Sequence, residues 1–96
     1  MQESLKHLKV IDLSTVLAGP SVGTFFAELG AKVLKIEAPG PGDVTRSWTL
    51  PREDSEDTVS AYFASVNFKK EYLSLDLKQA EDHKRLMHEL KDADIL

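Results

Sequence analysis

The sequence predicts an α/β domain, a parallel sheet with flanking helices, and three observations carry that reading. Two short apolar runs, Leu8–Leu13 and Lys32–Glu37, read as buried strands, and a helical pattern lies between them. A further strand-then-helix pair follows from Tyr72 to Asp92. Strand, helix and strand within thirty residues is the spacing of a crossover between parallel strands.

The first run, "LKVIDL", is apolar and rich in β-branched residues. "STVLAGP" then reads as a loop punctuated by Gly19–Pro20, with Pro20 suited to the first position of a helix, where its missing N–H costs nothing. From there Val22, Phe25, Phe26 and Leu29 recur at helical spacing, which predicts that they form the face turned to the sheet. Gly30 stands where a left-handed C-cap is expected, and "KVLKIE" is the second strand. Ala38 to about Ser60 is irregular and carries the acidic run "REDSED", Arg52–Asp57, expected to be a solvated loop. "AYFASV", Ala61–Val66, is too short to classify by periodicity. Tyr72–Leu77 alternates as a strand does, and Gln79–Asp92 is an amphipathic helix with His83, Leu86, Met87 and Leu90 on one stripe. Ile95 and Leu96 look like the start of another buried strand, so the chain is expected to be a fragment whose sheet is incomplete. No internal repeat or low-complexity segment is present.

The composition, 42% hydrophobic and 29% charged over 96 residues, is that of an ordinary globular chain. A formal charge of −4 argues against a nucleic-acid partner, which would call for a clustered basic face. Without cysteine there can be no disulfide, thiolate metal ligand or cysteine nucleophile. The N-terminus has no apolar stretch of signal-peptide length, and no segment approaches the roughly 20 apolar residues of a membrane span. A cytoplasmic location with no membrane partner is the expectation.

The stretch "VLAGPSVGTFFAELGAKVLKIEAPGPGD", Val16–Asp43, has nearly the grammar of a dinucleotide site. A G-x-G-x-x-G turn lets backbone approach a pyrophosphate. Here Gly19, Gly23 and Gly30 are spaced four and seven apart, so the middle glycine is missing, and Pro20 removes a donor. Glu37 does stand where a ribose-binding acid would, 18 residues after Gly19. Position alone is weak support, because strand ends are often polar. The N–H groups around Ser21 could take an anion, as at any helix start.

The histidines build no metal site: His83 and His88 fall on different helix faces and His7 is remote in sequence. Asp12, Ser14 and Thr15 follow the first strand, where parallel sheets gather ligands, but no histidine is placed to activate a hydroxyl. Lys69 and Lys70, at the entrance to the third strand, could meet phosphates or lie solvated at the surface. Nothing here amounts to a complete catalytic set.

Taken together, "LKVIDLSTVLAGP", "ELGAKVLKIEAPGPGDVTRSW", "AYFASVNFKK", "LSLDLK" and the closing "ADIL" resemble the N-terminal part of the class III CoA-transferases, the formyl-CoA:oxalate or CaiB-BaiF type. The pieces occur in the family's order over nearly the whole chain. The resemblance implies that residues 1–96 are the N-terminal part of a Rossmann-like large domain, truncated, from an interlocked homodimer. It implies transfer of CoA from an acyl-CoA to a carboxylic acid through an aspartyl intermediate. The family's nucleophilic aspartate lies beyond position 96, so no catalytic residue is assigned and the chain alone is expected to be inactive. CoA is the implied ligand and no metal is implied.

The implied CoA contacts are Val16, Leu17 and Ala18, after the first strand, and Leu75, Asp76, Leu77 and Lys78 after the third. Two positions depart from the family pattern. Ala38 stands where an arginine is common, and Glu71 where a cation is expected. Acyl-CoA racemases share the fold and are an alternative, as is a non-catalytic CoA- or nucleotide-binding module. The long connection before "LDLK" favours the transferase.

Overall fold

The structure, a computed structural model, describes residues 4–49 and 60–96. The acidic run "REDSED" lies outside them. The elements are β1 (Lys9–Asp12), α1 (Ala18–Glu28), β2 (Lys32–Glu37), a 3-10 turn (Val44–Ser47), α2 (Ala61–Ser65), β3 (Glu71–Ser74) and α3 (Ala80–Leu90). The three strands are parallel in the order β1-β2-β3, with Val10 opposite Val33 and Ile36 opposite Leu73. Ile95 forms a parallel bridge to Val10 on the other edge of β1, where a further strand is expected.

β2 is central and five of its six residues are buried, as a strand covered on both faces requires. Its residues alternate between two cores. Leu34 and Ile36 join Ile11, Leu75 and Leu86, with Leu90 packed alongside, on the α3 face. Val33 joins Val10, Ala27 and Ala31 on the α1 face. β3 is shorter than the alternation of Tyr72–Leu77 predicts: its register with β2 ends at Ser74 opposite Glu37, the last residue of β2, and a final bond runs from Leu75 N–H to Glu37 O at 2.9 Å.

α1 begins at Ala18, two residues before the expected start, so Pro20 occupies the first turn without beginning it. A proline is tolerated there because first-turn N–H groups have no partner inside the helix. Its C-terminus is as the sequence implies. Gly30 has φ 98°, Gly30 N–H donates to Ala27 O at 3.0 Å and Ala31 N–H to Phe26 O at 3.0 Å, the paired bonds of a Schellman ending.

Of the four apolar residues expected to turn α1 toward the sheet, Phe26 packs beside the Val10–Val33 core and Leu29 is half-buried, but the buried face is otherwise made of small residues. Pro20, Gly23, Thr24 and Ala27 are buried, while Val22 and Phe25 are 58% and 57% exposed. The small residues let the helix approach the carboxyl ends of β1 and β2, where the sheet carries charge. On α3, Leu86 is buried and Leu90 half-buried as expected, but His83 and Met87 are exposed.

α3 runs from the end of β3 to the outer edge of β1. Lys9 anchors its far end: Lys9 Nζ donates to Asp92 Oδ1 at 2.6 Å and to Glu89 O at 3.1 Å, and Asp94 N–H donates to Lys9 O at 2.8 Å. Among the described residues no helix is long and apolar enough to cross a membrane.

Candidate functional site

Along the α1 side of β2, alternation carries Val33, Lys35 and Glu37 to one face, so an apolar core grades into charge toward the carboxyl ends of the strands. Each charge there is neutralised by an opposite one.

Lys70 is the partner of Asp12, with Nζ to Oδ2 at 2.8 Å and neither side chain more than 4% exposed. The same ammonium faces Pro20 O at 2.9 Å, Asn67 Oδ1 at 2.9 Å and Val66 O at 3.1 Å. Four acceptors surround three N–H donors, so the charge is fully solvated by protein. The other Asp12 oxygen, Oδ1, accepts Ser14 N–H at 2.8 Å and the Ser14 hydroxyl. Burial pushes the Asp12 carboxyl up, but the Lys70 ammonium and the two Ser14 donors outweigh it and hold it below its ordinary value. Burial also lowers Lys70, with Asp12 opposing. Lys70 is thus neither of the things its sequence position suggests, a phosphate ligand or a solvated surface lysine. Lys69 is exposed and adopts φ 64°, the kink that turns Lys70 inward.

Lys35 pairs with Asp43 at 3.0 Å, both side chains fully buried, and donates to Ser14 O at 2.9 Å. Asp43 Oδ1 accepts the N–H and hydroxyl of Thr45 at 2.9 and 2.8 Å, capping the 3-10 turn. Burial raises the Asp43 carboxyl, and the Thr45 donors with Lys35 lower it further than burial raises it. Glu37 takes a two-pronged bond from Arg46, Nε to Oε1 and a terminal nitrogen to Oε2, each 2.7 Å. Asp43 N–H also donates to Glu37 Oε1 at 2.8 Å, and the Glu37 carboxyl lies below its ordinary value against the desolvation that raises it. The Arg46 guanidinium stacks 3.9 Å over the Phe63 ring. Glu37 borders the cleft at the strand ends, with both of its carboxylate oxygens already engaged by Arg46 and one also by Asp43 N–H.

A cavity of about 340 Å³ opens at the carboxyl ends of all three strands. Leu75, Asp76, Leu77 and Lys78 form one wall, Leu13 and Thr15 another, and Ala38, Pro39 and Gly42 a third. The four implied contacts after β3 therefore gather in one cleft, with the loops after β1 and β2 around them. Asp76 braces this wall, its N–H donating to Asp82 Oδ2 at 2.8 Å and its Oδ1 accepting Lys78 N–H at 3.1 Å.

Val16, Leu17 and Ala18 do not line this cleft; Thr15 carries the chain from its rim to them. Leu17 and Ala18 are exposed, and Leu17 O accepts Ser21 N–H at 2.9 Å as α1 begins. Val16 has φ 71°, a left-handed conformation that a β-branched residue rarely adopts. Gly23 belongs under α1, since a methyl there would be 3.0 Å from Asp12 Oδ2 and 3.1 Å from Lys70 Nζ.

Sequence reasoning missed Lys35, Asp43, Thr45 and Arg46. One signal was available: a lysine within the apolar run "KVLKIE" requires a buried acid. No cluster of metal-ligating side chains occurs among the described residues.

A family model described as CoA-transferase family III matches residues 5–96. The chain belongs to that family. An acyl-CoA transferase from Fusarium pseudograminearum is 41% identical over 99% of this chain, and a formyl-CoA:oxalate CoA-transferase from Escherichia coli is 38% identical over all of it. This chain spans 22% of the length of each. A solved CaiB/BaiF family protein from Brucella suis superimposes with a TM-score of 0.87 at 36% identity, over 99% of this chain and 25% of that one. The Rossmann-like parallel sheet that the family resemblance implies is the observed fold, in part of a domain.

Proposed function

We propose that this CoA-transferase family chain forms part of the CoA-binding edge, the N-terminal part of the large domain, of an enzyme that moves CoA from an acyl-CoA to a carboxylic acid. The observation that carries the reading is the cleft at the carboxyl ends of β1, β2 and β3, walled by Leu75–Lys78. Ligands of open parallel sheets bind at such ends. Lys78 supplies an exposed cation for phosphate, and Leu13, Ala38, Pro39 and Leu77 supply apolar surface for an adenine or pantetheine group. Val16–Ala18 extend this edge along the start of α1.

The family resemblance implies that the nucleophilic aspartate lies beyond position 96, and the buried ion pairs of Asp12 and Asp43 leave these two engaged in holding the fold. The Fusarium and Escherichia relatives are both named transferases, which favours transfer over racemisation. The family resemblance implies an interlocked homodimer and an aspartyl intermediate.

Isothermal titration of the chain with CoA, 3′-dephospho-CoA and pantetheine tests the reading. CoA is expected to bind, pantetheine much more weakly, and Lys78→Ala to weaken CoA about tenfold with a shallower salt dependence. Equal affinity for all three ligands, or no loss in Lys78→Ala, would refute it.

A further inference from the structure

We propose that Lys70 and Lys35 are positioning residues for the coenzyme loop: their two buried ion pairs converge on Ser14 and hold the backbone of Val16–Ala18 in its ligand-ready form. The inference rests on the CoA-site reading above.

Ser14 is gripped on every polar atom. Its N–H and hydroxyl bond Asp12 Oδ1, and Asp12 is in turn held by Lys70. Its carbonyl accepts from Lys35, which is held by Asp43. Lys35 lies within β2 and Lys70 at the entrance to β3, while Asp12 ends β1 and Asp43 caps the 3-10 turn. Four buried charges of zero net sum thus meet at one residue of a loop.

So much buried polarity is a costly way to stabilise a fold, because desolvating two ion pairs offsets most of their attraction. What the arrangement does secure is geometry. Two residues beyond Ser14, Val16 is held at φ 71°, a conformation that persists only where surrounding structure over-determines it. Downstream, Pro20 O is tied to the same Lys70 ammonium at 2.9 Å. Val16–Ala18 are thereby clamped at both ends by one network. Gly19 packs so closely on Ser14 that a Cβ would overlap it, which leaves the loop no slack.

The test is hydrogen exchange of the loop amides at 15–18 without ligand, alongside CoA titration, in Lys70→Met and Ser14→Ala. Lys70→Met is expected to speed loop exchange at least tenfold and weaken CoA at least tenfold, with exchange in α3 unchanged. Ser14→Ala removes only the hydroxyl arm, so it keeps the test alive should Lys70→Met not fold; about threefold effects on both readouts are expected. Val16→Gly, added to either variant, is expected to restore CoA affinity in part, because glycine adopts positive φ without support. A merely structural lysine would not be rescued in this way. Unchanged loop exchange in the folded variants overturns the clamp whether or not CoA binds. If the wild-type chain binds no CoA, the site reading falls and takes the ligand half of this inference with it.

Discussion

Replacing Gly19 by alanine sets two physical effects against each other. Inside a helix, alanine is favoured over glycine by about 1 kcal/mol. In this fold, however, an ideal Cβ on Gly19 would overlap Ser14 Cβ and sit 2.5 Å from its hydroxyl oxygen. Ser14 cannot retreat without breaking its bonds to Asp12 and Lys35, and a hydrogen bond to a charged group contributes about 1.5–3 kcal/mol. The net expectation is a destabilisation of about 0.5–2 kcal/mol after the propensity gain is subtracted. In a domain of this size each kcal/mol lowers Tm by about 4–8 °C, so a fall of roughly 2–16 °C should appear in a circular-dichroism melt. Urea titration at 25 °C should show the midpoint falling with m unchanged. Adding Ser14→Gly, which removes the obstructing side chain, should return part of the loss. A Gly19→Ala chain as stable as the parent would show that the loop yields freely, and would refute the reasoning.

Acid should act through the same charges. The Asp12, Glu37 and Asp43 carboxyls all lie below their ordinary values in the folded chain. Their contribution is therefore complete above the unfolded values of about 4 and is lost as pH falls from there through the lower folded ones. Urea midpoints should change little between pH 7 and 5 and drop steeply below about 4. Arg46→Lys keeps the charge but loses the two-pronged bond and the stacking on Phe63; since Arg46 is partly exposed, a loss of about 1–2 kcal/mol is expected in urea unfolding. Ala38→Arg places a guanidinium at the rim of the cleft opposite Lys78. It should tighten CoA several-fold at low salt and less at high salt in a titration series.

The strands and the helix end were legible because their causes are local. Lys32–Glu37, with Val33, Leu34 and Ile36 at its centre, has the bounds read from it, and Gly30 is the residue a left-handed cap demands. The sheet-facing side of α1 was not. Periodicity pointed to Val22, Phe25, Phe26 and Leu29, yet Val22 and Phe25 are exposed, while the charged sheet end selects Gly23 and Thr24 through Lys70 and Val66, more than forty positions away. Lys70 shows the same limit. Nothing beside it in sequence announces Asp12, its partner 58 residues earlier, so its burial becomes visible only once β1, α1 and α2 are brought together. The wall Leu75–Lys78 could be located by motif, but that it shares a cleft with Ala38 and Thr15 depends on the parallel order of the strands.

The diagonal path of α3 has a mechanical meaning. β1 and β3 are not neighbours in the sheet, and the covalent route from β3 to the Ile95 bridge passes through this helix. α3 is thus a tie-rod across three strands, fastened near its start by Asp82 on Asp76 N–H, at its middle by Leu86 in the core and at its far end by Lys9. Past the helix, Ile95 is held to the edge of β1 by its own backbone bond, Ile11 N–H to Ile95 O at 2.9 Å, and by packing on the Val10 core. Where such an edge is bare it is a template on which another chain could add a strand, so the helix delivers the residue that begins to cover it.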